Sequence, residues 1–321
     1  MGQTVGALGE FGLLAQVVAR LGTGEGVVLG PGDDAAVVAV PDSRVVVTTD
    51  LLVEGRHFRR DWSTAYDVGR KAAAQNLADV AAMGARPTAL LVGFGAPADL
   101  EASWALELTD GLRDEAEGVG AVIVGGDVVR ADAVIVAVTA LGDLAGRRPV
   151  TRAGAGPGDV VAVAGRLGWA AAGLSVLSRG FRSPRRLVDA HRRPAPPYAA
   201  GIAAAAAGAT ALIDVSDGLL ADAGHVAQAS GVQLELRTDA LEVGEPLRDL
   251  AAAFNVDPLE WVLTGGDDHA LLGCFPAAAV LPPGFVAVGQ VTAAGSGGPQ
   301  VLVDGRPHPG SAGHDHFRPG P

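Results

Sequence analysis

Hydrophobic residues along the first half of the chain repeat with two different periods. Residues 5–20 carry apolar side chains at three- and four-residue spacing, which is typical of an amphipathic helix. Short runs rich in Val and Thr, bounded by Pro, Gly, Asp and Ser, are typical of strands. The pattern predicts helices at 5–20, 64–83 and 100–116, and strands at 35–40, 44–49, 88–94, 121–124 and 133–141.

An Arg- and Gly-rich stretch at 146–158 interrupts this pattern and indicates a junction between two domains. The segment 179–197 is polar, arginine-rich and proline-bearing, and we expect it to be solvated. Strands and helices mix without strict βαβ repetition, so we expect an α+β fold in two domains, 1–146 and 147–321. The second half is predicted to hold strands at 159–164, 211–215, 232–236, 269–275, 285–289 and 300–303, with helices after 168, at 199–207 and at 218–229, and two short ones between 236 and 269.

Composition narrows the classes of function. The chain has 321 residues and a formal net charge of −12, which argues against a nucleic-acid surface because such a surface needs clustered Lys and Arg. Lys71 is the only lysine and lies in a predicted helix, so a P-loop is excluded. The lone Cys274 excludes an internal disulfide, and its apolar neighbours predict a buried thiol. No signal peptide or membrane-spanning stretch is evident, so we expect a cytoplasmic location.

Aspartates recur where predicted strands end or turn into helices. Carboxylates gathered in this way repel one another unless cations lie between them, and Mg²⁺ takes oxygen ligands together with water and phosphate oxygens. Neighbouring glycines permit the close backbone approach that a phosphate-binding loop needs. The junctions are 32–34, 48–50, 125–127, 214–218 and 264–268, and Asp79 lies within a predicted helix.

Each junction also has an ordinary structural explanation. Gly-Asp and Gly-Gly-Asp sequences form turns, and Ser and Asp cap helices. Asp79 is harder to explain in this way, because it lies three positions after Asn76 and shares with it one face of an otherwise apolar helix. Taken together, the set favours metal-bridged phosphate chemistry over a series of unrelated turns and caps.

These motifs, in this order, resemble the thiamine-monophosphate kinase family of the aminoimidazole ribonucleotide synthetase-like superfamily. The resemblance runs nearly end to end. Its most specific part is the Val-x-Gly-x-His-Phe element at 53–58. The other matching segments are 9–11, 32–36, 48–52, 76–79, 125–127, 151–159, 214–218, 264–268 and 315–317.

The resemblance implies ATP-dependent phosphorylation of thiamine monophosphate to thiamine diphosphate, with several Mg²⁺ ions and with ATP as co-substrate. It also implies a homodimer joined through its N-terminal sheets, an N-terminal domain that binds ATP and Mg²⁺, and a C-terminal α/β sandwich domain that closes over the substrate. Carried over position by position, the resemblance implies metal contacts for Asp34, Thr48, Thr49, Asp50, Asp79, Asp127, Asp214 and Asp217. Of these, it implies a catalytic role for Asp34, Asp50, Asp79, Asp127 and Asp214. It implies ATP contacts for Gly125, Gly126, Asp127, Arg152 and Ser216, and substrate contacts for His57, Asp267 and His314.

Two segments depart from the family pattern. The family commonly has Gly-Gly-Glu-Asp-Tyr where this chain has Asp267 and His269, and often an aromatic residue where this chain has His314. One alternative is another ATP-dependent synthetase of the superfamily, of the purine-pathway or hydrogenase-maturation type. A second alternative, from another class, is a non-catalytic nucleotide-binding protein, and Mg²⁺-dependent ATP turnover would separate it from an enzyme.

Overall fold

The computed structural model describes residues 3–22, 24, 26–29 and 36–314. The chain divides into two compact units, one of residues 1–80 and 85–146 and the other of residues 81–84 and 147–321. Both units combine helices with β-sheets, which confirms the α+β class. The nucleotide-binding and substrate-closing roles assigned to the two domains stay predictions.

The first unit contains three helices and six strands in the part of the chain that the structure describes. They are α1 (Val5–Val18), α2 (Ala65–Ala82), α3 (Ala102–Glu117), β1 (Val27–Leu29), β2 (Val37–Val38), β3 (Val46–Val53), β4 (Arg86–Ala96), β5 (Val122–Arg130) and β6 (Ile135–Asp143). Strands β1 and β2 form an antiparallel pair, and the other four form a sheet in the order β3-β6-β4-β5. Strands β4 and β5 are parallel, whereas β6 is antiparallel to both of its neighbours.

The four-stranded sheet has two different faces, because alternate residues of a strand point in opposite directions. The inner face packs against α2 and is closed: Leu52 on β3 is 2% exposed and Val138 on β6 is fully buried. The outer face is open and apolar, with Val47 60% and Leu51 51% exposed. The hydrophobic alternation of β3 is therefore not a simple inside-outside pattern, since both of its faces carry apolar residues.

Helices α2 and α3 pack closely because small residues lie at their contact. A Cβ atom added at Gly69 would lie 2.1 Å from the carbonyl oxygen of Leu108, and one added at Gly111 would lie 2.2 Å from that of Tyr66. Glycine at both positions lets the two backbones touch, so the position of α2 is fixed by its contact with α3. This matters for the site because α2 carries Asp79.

The second unit contains six α-helices and six strands among the described residues. They are α4 (Trp169–Ser178), α5 (Arg185–Arg192), α6 (Tyr198–Ala206), α7 (Leu219–Ser230), α8 (Glu245–Phe254), α9 (Pro258–Thr264), β7 (Val160–Ala164), β8 (Ala211–Val215), β9 (Val232–Leu236), β10 (Ala270–Phe275), β11 (Phe285–Ala293) and β12 (Gln300–Val303). The strands form one sheet in the order β12-β9-β11-β7-β10-β8. All neighbours are antiparallel except β12 and β9.

The core of the second unit lies against the central strands of this sheet. Phe275 is fully buried, and its ring meets that of Phe285 edge to face with the centroids 5.1 Å apart. Cys274 is also buried, as its apolar neighbours predict, and burial raises the pKa of its thiol to about 12. The thiol is therefore a packing group in the folded protein.

Three sequence predictions differ from the structure. Strand β3 runs to Val53 and β5 runs to Arg130, so Asp50 and Asp127 lie inside strands and not at strand ends. In β5 the Gly-Gly pair continues the strand because β4 supplies a hydrogen-bonding partner, which the local sequence cannot show. The segment 179–197, predicted to be solvated, contains α5, whose buried face packs against α4.

No helix within the described ranges is long and apolar enough to cross a bilayer.

Candidate active site

In the first unit, β3 and α2 bring three predicted site residues, Thr48, Asp50 and Asp79, to one interface. The hydroxyl of Thr48 donates a 2.7 Å hydrogen bond to Oδ2 of Asp79. Asn76 accepts a 2.9 Å hydrogen bond from the backbone N–H of Asp50, and its own amide donates to the carbonyl of Ala72. Asn76 and Asp79 share one helix face, as their spacing predicts. Thr48 and Asp50 are therefore held on the inner face of the sheet, against α2.

Thr49 lies on the other side of the same strand. Its hydroxyl donates to the carbonyl of Val138 at 3.0 Å and accepts from the hydroxyl of Thr139 at 3.1 Å. Successive side chains of a strand point to opposite faces, so the side chain of Thr49 cannot join those of Thr48 and Asp50. The predicted metal contact of Thr49 stays a prediction. The side chains of Thr48 and Thr49 cannot both contact one ion, because they lie on opposite faces of the sheet.

The Gly-Gly-Asp motif lies on the edge strand β5. A Cβ atom added at Gly126 would lie 2.0 Å from the carbonyl oxygen of Val92 on β4, so only glycine fits there without a shift of the backbone. Asp127 is exposed, and its Oδ1 accepts a 2.9 Å hydrogen bond from the N–H of Val128. Gly125, Gly126 and Asp127 line a cavity of about 1060 Å³, together with apolar residues of α1, α3 and the outer face of the sheet.

The strand register separates Asp50 from Asp127. Asp50 pairs with Val138, whereas Asp127 lies in the next row, with Gly93 on β4 and Ala137 on β6. Adjacent rows point to opposite faces of a sheet, so Asp50 is on the inner face and Asp127 on the outer face. The two strands are also three positions apart in the sheet, which is roughly 14 Å at the usual strand spacing.

His57 lies in the loop after β3, where its Nδ1 atom accepts a 3.0 Å hydrogen bond from the backbone N–H of Val53. This bond fixes the ring against its own strand and assigns the neutral-ring proton to Nε2 when the ring is uncharged. The Nζ atom of Lys71 lies 3.5 Å from the carbonyl oxygen of His57. The only lysine of the chain therefore supports this loop from α2.

In the second unit, the turn from β8 to α7 carries Asp214, Ser216 and Asp217. Asp222, in the first turn of α7, accepts hydrogen bonds from the N–H groups of Asp217 and Gly218 at 3.0 and 3.1 Å. Burial, together with the nearby carboxylates of Asp214 and Asp217, raises the pKa of Asp222 to about 7. The turn is thus held by a carboxyl group that sequence reasoning did not identify.

The loop 265–269 packs directly on that turn. The N–H of Asp267 donates to the carbonyl of Ser216 at 2.8 Å, and the N–H of His269 donates to that of Val215 at 3.0 Å. The Nδ1 atom of His269 lies 3.0 Å from Oδ2 of Asp214. The structure therefore brings Asp267 to Asp214 and Ser216, which lie far earlier in the sequence.

Two further predicted residues lie in the same unit. The N–H of His314 donates to the carbonyl of Asp217 at 2.8 Å, which places this residue of the chain's end at the same turn. Arg152 is exposed in the segment before β7, where its carbonyl accepts from the hydroxyl of Ser230. Asp34 and the motif 315–317 lie outside the described residues.

The chain is similar to known proteins along nearly its whole length. Residues 32–144 match the family model described as AIR synthase related protein, N-terminal domain, and residues 156–301 match its C-terminal domain. The thiamine-monophosphate kinase of Mycobacterium tuberculosis is 50% identical over 98% of this chain and 93% of its own length. That of Corynebacterium glutamicum is 42% identical over 91% of this chain and 88% of its own.

The chain belongs to the thiamine-monophosphate kinase family. A solved structure described as AaThiL complexed with AMPPCP and TMP is similar to it with a TM-score of 0.79. That likeness covers 96% of this chain and 97% of the other, at 32% identity. The family resemblance seen in the sequence motifs is thus confirmed over nearly the whole chain.

The donor atoms of the family's predicted metal positions are suited to a hard cation, since they are carboxylate and hydroxyl oxygens. Among the residues that the structure describes, no group of three or more His, Cys, Asp or Glu side chains is placed to hold a metal ion by itself. The hydrogen bond between Thr48 and Asp79 shows that two of the oxygens already converge. An ion at this site would therefore depend on additional oxygens, as Mg²⁺ commonly does with water and phosphate.

Sequence reasoning missed three residues that shape the second half of the site. Asp222 follows the Asp-x-Ser-Asp-Gly turn at a position typical of the first turn of a helix, where carboxylates are favoured. Asp268 accepts a 2.9 Å hydrogen bond from the N–H of Ala170, and burial raises its pKa to about 7. His191 lies on α5, which was predicted to be solvated. Its spacing from the apolar Leu187 and Val188 was the available signal for a buried helix face.

Proposed function

We propose that this chain transfers the γ-phosphoryl group of ATP to the phosphate of thiamine monophosphate, giving thiamine diphosphate. The observation that carries the proposal is the end-to-end likeness to thiamine-monophosphate kinases, which includes a structure described with AMPPCP and TMP. The residues that would act on phosphates belong to the sequence motifs that carry the resemblance to this family. A cytoplasmic location and the absence of a nucleic-acid partner are part of this proposal and rest on the sequence.

The nucleotide is proposed to bind at the cavity beside β5. Its volume of about 1060 Å³ is large enough for a nucleotide, and its lining is mainly apolar, which suits a purine base. Gly125, Gly126 and Asp127 lie at its wall, where main-chain N–H groups without side chains can approach phosphate oxygens. The base would then lie near α1 and α3, with the phosphates toward β5.

Mg²⁺ is proposed to be held by the oxygens of Thr48, Asp50 and Asp79 on the inner face, with Asp34, Asp127, Asp214 and Asp217 as further positions. When bound, it neutralises the charge of the transferring phosphoryl group and orients the phosphate oxygens. The protein's part is to keep the donors in place. Thr48 orients one oxygen of Asp79, and Asn76 fixes the backbone of Asp50.

The acceptor needs no general base, because a phosphate monoester has a second pKa near 6 and is largely ionised at neutral pH. The residues must instead bring two anions into line, since phosphoryl transfer depends mainly on positioning and charge neutralisation. Arg152 is proposed to hold a phosphate by a bidentate contact, and His57, Asp267 and His314 to hold the thiamine part. The transfer is direct, with no phosphorylated form of the protein.

A homodimer is proposed because the set of predicted phosphate-binding residues is divided between two faces of one sheet. Asp50 and Asp127 are too far apart in one chain to hold one ion. Strands β3 and β5 are the two edges of that sheet, and each has one side open to pairing within the described chain. Pairing of both edges with a second copy would bring its β5 beside β3 and close the two sheets into a barrel, with the exposed apolar residues of the outer face inside it.

The deciding experiment offers the purified protein ATP and Mg²⁺ with thiamine monophosphate, free thiamine or an aminoimidazole ribonucleotide precursor. The expected result is thiamine diphosphate formed from thiamine monophosphate alone. ATP consumption on another acceptor, with no thiamine diphosphate, would move the chain to another synthetase of the superfamily. Binding of ATP without turnover of any acceptor would favour the non-catalytic alternative. Recovery of labelled phosphoprotein after reaction with γ-labelled ATP would overturn direct transfer.

A further inference from the structure

A chain of alternating carboxylates and imidazoles runs through the second unit from β8 to α5. The Nδ1 atom of His269 lies 3.0 Å from Oδ2 of Asp214. The Nε2 atom of the same ring lies 3.9 Å from Oδ1 of Asp267. On the other side, the Nδ1 atom of His191 lies 3.7 Å from Oδ2 of Asp267. Each oxygen of the Asp267 carboxylate therefore faces a different imidazole.

The four members of this chain differ in their access to solvent. The side chains of Asp214, His269 and His191 are 5%, 6% and 8% exposed, whereas that of Asp267 is 35% exposed. A ligand can therefore contact this group of four side chains only at Asp267, and the buried imidazoles act on the ligand only through the Asp267 carboxylate. Electrostatic contacts among buried groups are stronger than the same contacts in water, because the local dielectric is lower.

The backbone of Asp267 is held independently of its side chain. Its φ of +73° lies in the left-handed region, which a residue with a Cβ atom adopts only when neighbouring contacts enforce it. The hydrogen bond from its N–H to Ser216 provides one such contact. A Cβ atom at Gly266 would lie 2.2 Å from the same carbonyl oxygen, so the loop lies directly on the β8–α7 turn. With the main chain fixed, the direction of the carboxylate depends on its side-chain neighbours.

His191 is held in place by close helix packing. A Cβ atom at Gly173 on α4 would lie 2.0 Å from the carbonyl oxygen of Leu187 and 2.9 Å from Cβ of His191, so α5 touches α4 at this point. Asp268, the residue after Asp267, accepts a hydrogen bond from the first turn of α4. The first turn of α4 is thus hydrogen-bonded to the loop that carries Asp267, and the middle of α4 packs against α5, which carries His191.

We propose that His191 is a positioning residue for the acceptor, which keeps the Asp267 carboxylate in the direction needed to contact the non-phosphate part of thiamine monophosphate. That part carries a cationic thiazolium ring and an amino group, and both attract a carboxylate. The inference rests on the proposed function. It assigns His191 an effect on acceptor binding and none on nucleotide binding, because its contact is with Asp267 and not with the proposed nucleotide-binding residues 125–127 on β5.

The test is a double-mutant cycle of His191→Leu and Asp267→Asn, measured by steady-state kinetics and by calorimetric binding of thiamine monophosphate without nucleotide. Loss of a contact to a charged group predicts a KM for thiamine monophosphate, and a Kd from calorimetry, raised about tenfold in His191→Leu. The KM for ATP and kcat should each change by less than about twofold. In the Asp267→Asn background, His191→Leu should add no further loss.

Conservative variants separate positioning from packing. In His191→Asn the amide nitrogen takes the place of Nδ1, so acceptor binding should recover to near the wild-type value. In His191→Gln the amide nitrogen takes the place of Nε2, so the loss of acceptor binding should resemble that of His191→Leu. His191→Gln replaces His191→Leu in the test if the leucine variant is too unstable to measure. His225→Asn, at an exposed position on α7, is the control and should leave all constants unchanged.

Three results would overturn the inference: unchanged acceptor binding in His191→Leu and His191→Gln, an equal rise in the KM for ATP, or the same loss in the Asp267→Asn background. Wild-type protein that forms no thiamine diphosphate would overturn the proposed function, and the inference with it. Wild-type activity combined with any of the three results would overturn the inference alone.

Discussion

The hydroxyl of Thr48 on β3 donates a 2.7 Å hydrogen bond to Oδ2 of Asp79 on α2, which joins residues 31 positions apart in the sequence. One helical turn earlier, Asn76 holds the backbone N–H of Asp50. Two alternate residues of a strand thus meet two residues on one face of a helix. These contacts place the Asp50 and Asp79 carboxylates at the same interface before any ligand is bound.

Thr48→Val tests this contact with little change in side-chain shape. Loss of the hydroxyl should lower the free energy of unfolding by about 1 kcal/mol and should weaken the apparent affinity for Mn²⁺ or Mg²⁺ in the presence of an ATP analogue. Thr88→Val is the matched control, because the hydroxyl of Thr88 also donates a hydrogen bond in the same sheet, but to the backbone carbonyl of Leu141 and not to a carboxylate. It should lose similar stability and leave the metal affinity unchanged. Equal metal affinity in both variants would show that Thr48 has no part in the site.

Gly126→Ala tests the close approach of β4 and β5. The added Cβ atom would lie 2.0 Å from the carbonyl oxygen of Val92, so the strands must move apart. The expected loss is about 1–3 kcal/mol of unfolding free energy, together with weaker binding of an ATP analogue measured by calorimetry. Gly224→Ala in α7 meets nothing within 4 Å and should be neutral or slightly stabilising. Normal nucleotide binding in Gly126→Ala would contradict the proposed location of the nucleotide.

Asp268→Asn tests the effect of a buried carboxyl group on the pH dependence of stability. Burial raises the pKa of Asp268 to about 7 from an ordinary value of 3.8, so the folded protein keeps this proton to a higher pH than the unfolded chain does. The titration of Asp268 therefore lowers the free energy of unfolding as the pH rises from about 4 to 7, by up to about 4 kcal/mol. Asparagine keeps the acceptor for the N–H of Ala170 and removes the titration.

Unfolding by urea at pH 5 and pH 8 measures this effect. The stability of Asp268→Asn relative to wild type should rise between the two pH values, whereas the exposed Asp132→Asn should show no such rise. An equal pH dependence in Asp268→Asn and wild type would mean that Asp268 is ionised in the folded protein across this range.

Val47→Asp tests the proposed role of the outer face. Val47 is 60% exposed in the single chain and would be covered in the homodimer, so a charge there should oppose association. Light scattering should show a dimer for wild type and a monomer for Val47→Asp, with loss of kinase activity. Val280→Asp, at a position 87% exposed in the second unit, should stay dimeric and active. A dimeric, fully active Val47→Asp would place the subunit interface elsewhere.

Much of the site was readable from the sequence, because it depends on residue types at short spacing. The three-residue spacing of Asn76 and Asp79 predicts a shared helix face, and both residues meet β3 from that face. The Asp-x-Ser-Asp-Gly turn was expected between a strand and a helix, and it lies between β8 and α7. The burial of Cys274 follows from its apolar neighbours. Local spacing fixes such features because helices and strands have fixed periods.

Other features came only from the tertiary structure. The register of β3, β6, β4 and β5 places Asp50 and Asp127 on opposite faces, and that register depends on pairing between distant segments. The contact of His191 with Asp267 depends on how closely α5 packs against α4. The raised pKa of Asp268 depends on burial by residues far away in the sequence. Pairing, packing and desolvation are sums over non-local neighbours, so a residue's own sequence context does not contain them.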